Sequence, residues 1–243
     1  MTTNATELTR RAVARIAGLV YLVSFVIVVA VNFGIVGRLM VAGDPAQSAR
    51  NILARETLFR VGIAGNVLYA VGMLVVAAAF YVILKTVDPF LALVAAVCRM
   101  VHGLTWLLVS VNLFTALRLL GRPEFARAIP PEQLPVLARL YLSGFDQYYV
   151  GLLVWSLGAA IGAYLWLEAR YLPRALAFAG IVAGAWCAAC TLALFISPDF
   201  QQVVNLWWFD VPMVLFEFAL SFVLIFRGLR PFGPAAPAVA GSV

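Results

Sequence analysis

Charge is scarce in this sequence. Lys, Arg, Asp and Glu make up 12% of its 243 residues, about half the share a soluble domain carries. A single histidine excludes H-E-x-x-H zinc chemistry and haem held by several imidazoles. Three cysteines, all within apolar runs, exclude a secreted disulfide scaffold. A Walker loop, a G-x-G-x-x-G following a strand and a G-x-S-x-G elbow are all missing, which removes three large enzyme classes. What is there is apolar: 64% of residues are hydrophobic and the mean hydropathy is +1.00. A soluble globule cannot bury that much, so the chain reads as an integral membrane protein. In a soluble protein the net charge of +6 would suggest nucleic acid. Here the cations flank apolar runs, so the expected partner is the lipid bilayer and its phosphates, not nucleic acid.

Six apolar runs separate along the chain: Arg15–Val36, Val61–Leu84, Phe90–Leu119, Leu142–Leu167, Pro173–Ile196 and Trp208–Phe226. Each has about 19 residues or more, enough at ~1.5 Å per residue to cross ~30 Å of hydrocarbon. None alternates with period two, so helices are expected and not a barrel. The first run is too long for a signal-peptide core and reads as a retained span. The fold expected is all-α: a polytopic bundle of six transmembrane helices forming one domain over residues 1–230, with a disordered Pro-rich tail over 231–243.

Short interfacial helices are expected in the 1–2 and 3–4 connections. In the first, Asp44 suits the N-cap, Pro45 the first turn and Gln47 the third position of a capping box. Ala49, Ile52, Leu53, Glu56 and Phe59 would then share a face. In the second, a helix is expected from Pro131. With the N-terminus inside, eight cations fall on each side. The inner ones crowd the tails and tight hairpins, so both termini are expected to be cytoplasmic.

Depth pairs residues across antiparallel spans. Arg99 lies ten residues after Pro89, and Glu217 ten before Arg227, which puts both ~15 Å from one membrane face. A buried arginine needs a partner, and Glu217 is the carboxylate at matching depth. The same arithmetic puts His102, Asn32, Asn66, Tyr69, Asn112, Asp146, Gln147, Tyr148 and Asp210 at ~20 to 35 Å. That polar layer either lines a cavity opening outward or forms a buried hydrogen-bond network. Trp207, Trp208 and Phe209 suit the outer interface. Gly158 and Gly162 on one span, and Gly180 and Gly184 on the next, form small-xxx-small pairs expected to pack spans four and five together. Cys187 and Cys190 form a C-x-x-C pair of the kind that can be redox active. With Cys98 and His102 they make the one geometrically conceivable metal set, although neither a metal nor a cofactor is expected.

Four segments carry a resemblance: RIAGLVY at 15–21, GDPAQSARNILARETLFRVGI from Gly43, LYLSGFDQYYVGLLVWSLG from Leu140, and EARYLPRALAFAGIVAG from Glu168. Together they resemble a widespread bacterial multi-pass family that carries only a domain-of-unknown-function label. The resemblance implies a six- or seven-helix inner-membrane protein and brings no catalytic residue with it. Three functions stay open. One is a small-molecule transporter or membrane sensor, with an outward cavity for a small amphipathic ligand gated near Arg99 and Glu217, acting alone or as a homo-oligomer. The second is an intramembrane enzyme on lipid or quinone, with His102 as proton carrier beside Asp146 or Glu217. The third is a partner subunit without a substrate of its own.

Overall fold

The structure, a computed structural model, describes residues 2–143, 145–197, 199–200, 204 and 206–229, with helices, turns and no strand among them. Helix α1 (Thr2–Val29) continues through a π segment (Ala30–Val36) and a last turn (Gly37–Leu39). Helices α2 (Pro45–Ala54), α3 (Glu56–Leu84) and α4 (Pro89–Gly121) follow. Two short helices, α5 (Pro123–Ala128) and α6 (Leu134–Leu142), precede α7 (Phe145–Glu168) and α8 (Arg174–Ile196). The chain ends in α9 (Leu206–Phe209) and α10 (Val211–Phe222), which runs on as a π segment (Val223–Arg227). The tail over 231–243 lies outside the described residues.

Five helices are long and apolar enough to cross a membrane: Arg10–Leu39, Glu56–Leu84, Pro89–Gly121, Tyr148–Glu168 and Arg174–Ile196. Their surfaces are apolar where a soluble protein would be polar. On α4, Leu93, Val97, Met100, Leu104, Leu108 and Val111 recur every three or four residues and are exposed, while Arg99, His102 and Trp106 are buried on the opposite side. An apolar outer stripe over a polar interior is what lipid selects, because a charge facing acyl chains would cost several kcal/mol. The molecule is a multi-pass integral membrane protein.

The five long helices and α10 form a closed ring. Consecutive members α1, α3, α4, α7 and α8 pack side by side, and α10 packs on both α8 and α1. The connections sort to two ends. Tight hairpins at Lys85–Asp88 and Ala169–Pro173 mark what we call the hairpin face; α2, α5 and α6 lie at the other end. Asp88 opens α4 by accepting from the N–H groups of Phe90 and Leu91 at 2.9 Å each, which offsets two of the helix's unpaired donors.

Several local expectations need correction. Asp44 caps α2, accepting from the Gln47 N–H at 2.8 Å. The box does not close, because the Gln47 side chain instead donates to Asn51 and accepts from Arg50. The apolar face of α2 ends at the buried Ile52. Leu53 is exposed, and the helix breaks at Arg55, so Glu56 and Phe59 belong to α3. The helix expected from Pro131 starts at Leu134, and Leu142 ends that helix instead of opening the fourth span. The sixth run is split at Asp210, with Trp208 exposed in α9 and Phe209 buried against Tyr149 and Phe200. The side chain of Trp207 lies outside the described residues.

The paired glycines also do not do one job. A Cβ on Gly184 would sit 2.9 Å from backbone atoms of Ser156 and Ala160, so this glycine alone brings α8 against α7. Gly158 faces Cys98 and Ala95 on α4, Gly180 faces the Phe216 ring on α10, and Gly162 faces open space. Four residues turn a helix by ~400°, leaving a ~40° offset. In a ring, where every helix has two neighbours and an interior, that offset divides a small-xxx-small pair between different contacts.

Candidate functional site

Inside the ring, the third and last of its helices are joined by opposite charges. Arg99 on α4 donates from Nη2 to Oε1 of Glu217 on α10 at 2.7 Å. A second donation, from Nη1 to the Tyr21 hydroxyl on α1, is also 2.7 Å. The residues are 5% and 3% exposed. The guanidinium carbon lies 5.0 Å from the ring centres of both Tyr21 and Phe80, near enough for cation–π attraction in a dry site. The arginine is therefore held by a carboxylate, a phenol and two aromatic rings. Glu217 is held less fully: its Oε2 is buried without a hydrogen-bond partner. Beside it is a small void of about 10 Å³, close to the least volume that holds one water.

Tyr21 was not singled out from the sequence, yet a signal for it exists. It lies ten residues after Arg11, the spacing that separates Arg99 from Pro89 and Glu217 from Arg227. Counting from the basic end of the first helix places its hydroxyl at the depth of the ion pair.

One turn along α4 from Arg99, toward α2 and α6, lies His102, 1% exposed. Its Nε2 accepts from the indole N–H of Trp106 at 3.2 Å and lies 3.1 Å from the Tyr69 hydroxyl. An indole nitrogen can only donate, so Nε2 carries no proton and the ring proton sits on Nδ1. Tyr69 then donates as well. Trp155 stacks on the imidazole, with centroids 4.6 Å apart and planes at 23°, and Tyr148 stands edge-on at 6.5 Å. These rings close the interior above the ion pair. As the chain's only histidine, His102 gives an unambiguous nitrogen-15 spectrum. The expected signal is a neutral imidazole protonated at Nδ1; a protonated Nε2 would contradict the hydrogen-bond assignment. Tyr69→Phe is expected to cost about 1 kcal/mol in unfolding experiments by removing one such bond.

The other polar residues form separate links. Asn32, in the π segment that extends α1, donates from Nδ2 to Asn66 Oδ1 on α3 at 3.0 Å. The Tyr148 hydroxyl donates to Asp210 Oδ2 at 2.8 Å, tying α7 to the start of α10. Asn112 is half-buried farther along α4. Asp146 and Gln147 lie in the first turn of α7, but their side chains are outside the described residues. Six residues of the polar layer, Asn32, Asn66, Tyr69, His102, Tyr148 and Asp210, are thus joined in hydrogen-bonded pairs, while the void lies on the other side of Arg99, toward the hairpin face. The three cysteines are free thiols. Cys98 packs at Gly158, whereas Cys187 and Cys190 lie in a separate core cluster with Phe209 and Met213. Among the described residues no three His, Cys, Asp or Glu side chains are placed to share a metal ion, so the set Cys98, His102, Cys187 and Cys190 does not assemble.

A family model described as "Domain of unknown function (DUF4386)" matches residues 16–228, a stretch that takes in the second half of α1 and every later helix of the ring. No curated protein matches the chain, and no solved structure does.

Proposed function

We propose a function from the premise that the chain belongs to the DUF4386 family, whose domain has no assigned activity: it is a small-molecule transporter or membrane sensor that works through the Arg99–Glu217 pair. The observation that carries this reading is the incomplete pairing of Glu217. A buried ion pair is a poor device for stability alone, since apolar residues of similar volume hold helices together at least as well. An unpaired carboxylate oxygen beside a void costs still more, and is where a ligand's donor would bind. The void is much smaller than a ligand pocket of ~300 Å³ or more, so this conformation is a closed one that must open to admit a small amphipathic solute.

In this reading α10 and its π extension make the sixth crossing. Twelve α-helical and five π-helical residues are somewhat short for ~30 Å of hydrocarbon, and α9 leads into them. Both termini then lie on the hairpin face, which we place in the cytoplasm of a cell whose inner membrane holds the protein. Helices α2, α5 and α6 rest at the opposite interface, and function as a homo-oligomer remains part of the proposal. The enzyme reading has less support, because both donors to His102 occupy the nitrogen that would have to take a proton, and Trp155 covers the ring.

The test is reconstitution. Purified protein in liposomes, offered a panel of small amphipathic solutes, is expected to take up at least one or to gain thermal stability from it. Glu217→Gln is expected to weaken that response about tenfold, equal to ~1.4 kcal/mol. An unchanged response in that variant, or no response to the panel, would remove the reading.

A further inference from the structure

The void beside Glu217 has a shape that says how the carboxylate is reached. It begins near the hairpin face, at Leu84, the last residue of α3, at Ala92 in the first turns of α4, and at Trp166 near the end of α7. From there it runs to Arg99 and Glu217. Two of its walls are small, with Ala95 and Ala96 from α4 and Ala159, Gly162 and Ala163 from α7, while Phe80 of α3 and Phe216 and Leu220 of α10 close the other sides. A Cβ on Gly162 would meet nothing within 4 Å, so the space there is not taken up by a neighbour. Beyond the ion pair the path stops, because the interlocked rings of Tyr69, His102, Trp106, Tyr148 and Trp155 fill the interior. A slot of alanines and glycine would mean little alone. Here it ends on a carboxylate that is 3% exposed and has one oxygen without a partner.

The geometry points to a one-sided water path: the slot between α4 and α7 brings water from the hairpin face to Oε2 of Glu217, making that carboxylate a proton-binding site served from one side of the membrane. The inference deepens the transporter or sensor reading by naming a proton as the species that this site binds. The step is a simple transfer. A hydronium ion gives a proton to Oε2, an O–H bond forms on the carboxyl, and a water molecule is left in the slot. Arg99 keeps its hydrogen bond to Oε1 but loses its counter-charge, so the hold of α4 on α10 weakens. The groups around the carboxylate that bear on the transfer are Arg99 from α4, which holds it directly, and Tyr21 from α1, which holds Arg99; the Tyr69 hydroxyl of α3 is turned to His102. The α7 wall carries no charged side chain, and α8 meets α10 through Gly180 against the Phe216 ring.

Two experiments test this. In a background with Cys98, Cys187 and Cys190 changed to alanine, Gly162→Cys and, separately, Ala96→Cys are treated in sealed vesicles with silver ion, a thiol-reactive cation no larger than a water molecule. Both are expected to react from the hairpin face at least about tenfold faster than Leu157→Cys, which faces lipid. Reaction from the opposite face, from both faces, or at the Leu157→Cys rate from either would overturn the inference. The second experiment needs no cysteine. Infrared difference spectra of the wild type on acidification are expected to show a protonated-carboxyl band that Glu217→Gln lacks, and identical spectra would overturn it. Failure to find a transported solute leaves both readouts intact. Conversely, a slot unreactive from both faces would end this inference without touching uptake.

Discussion

Glu217→Ala is expected to lower the stability of the folded bundle by about 3–5 kcal/mol, the cost of leaving a buried charge without its partner. The Arg99 guanidinium would keep the Tyr21 hydroxyl and the two flanking rings, none of which carries a negative charge. The double change Arg99→Met with Glu217→Leu is expected to recover most of the loss, since apolar side chains of similar volume need no partner. Unfolding in bicelles, read as a double-mutant cycle, separates the terms. A coupling near zero would mean that the 2.7 Å contact contributes nothing to stability. The cycle also divides the two roles a buried ion pair can have. If the apolar double variant is stable and still responds to ligand, the pair is only a fastening; if it is stable and silent, the charges serve the function.

The level of the pair in the membrane was legible in the sequence, and its surroundings were not. Rise per residue is nearly fixed along a helix, so counting ten residues from Pro89, Arg227 and Arg11 places Arg99, Glu217 and Tyr21 at one depth without knowledge of the fold. Rotation about the helix axis is not fixed in this way. In a soluble helix the hydrophobic stripe reveals the inward face, but here lipid and interior are both served by apolar residues and the stripe is faint. That is why the sequence pairs Gly158 with α8 when it meets α4, and why it gives no sign of the void on the hairpin side of Arg99. The π segments at Ala30–Val36 and Val223–Arg227 have no marker in composition, although the first sets the position of Asn32 against Asn66. The breaks at Arg55 and Asp210 each fall on a charged residue, and Pro212 follows the second, so both helix starts carry a mark in the sequence that reading hydropathy alone passes over.

Closure of the ring between α1 and α10 rests on a small residue, and the second large effect is expected there. Gly18, in the RIAGLVY segment, lies where α1 meets α10. A Cβ built on it would fall 2.8 Å from the Ser221 carbonyl oxygen and 3.0 Å from side-chain atoms of Leu224 and Ile225. The nearest of these is backbone and cannot rotate away, so a larger residue must move a helix. Gly18→Leu is expected to part α1 from α10 and cost about 1–3 kcal/mol as overpacking. The structural consequence reaches farther than the contact itself. Tyr21, one turn along α1 from Gly18, and Glu217, one turn before Ser221 on α10, both bind Arg99. A wedge between their helices pulls two of the arginine's partners apart, so Gly18→Leu should lose ligand response together with stability. Gly34→Leu is the matched control, since a Cβ there meets nothing within 4 Å. Equal stability of the two variants would show that α10 does not depend on close approach to α1. Because α10 supplies the carboxylate, the glycine that seats it determines whether the interior charge has a partner at all.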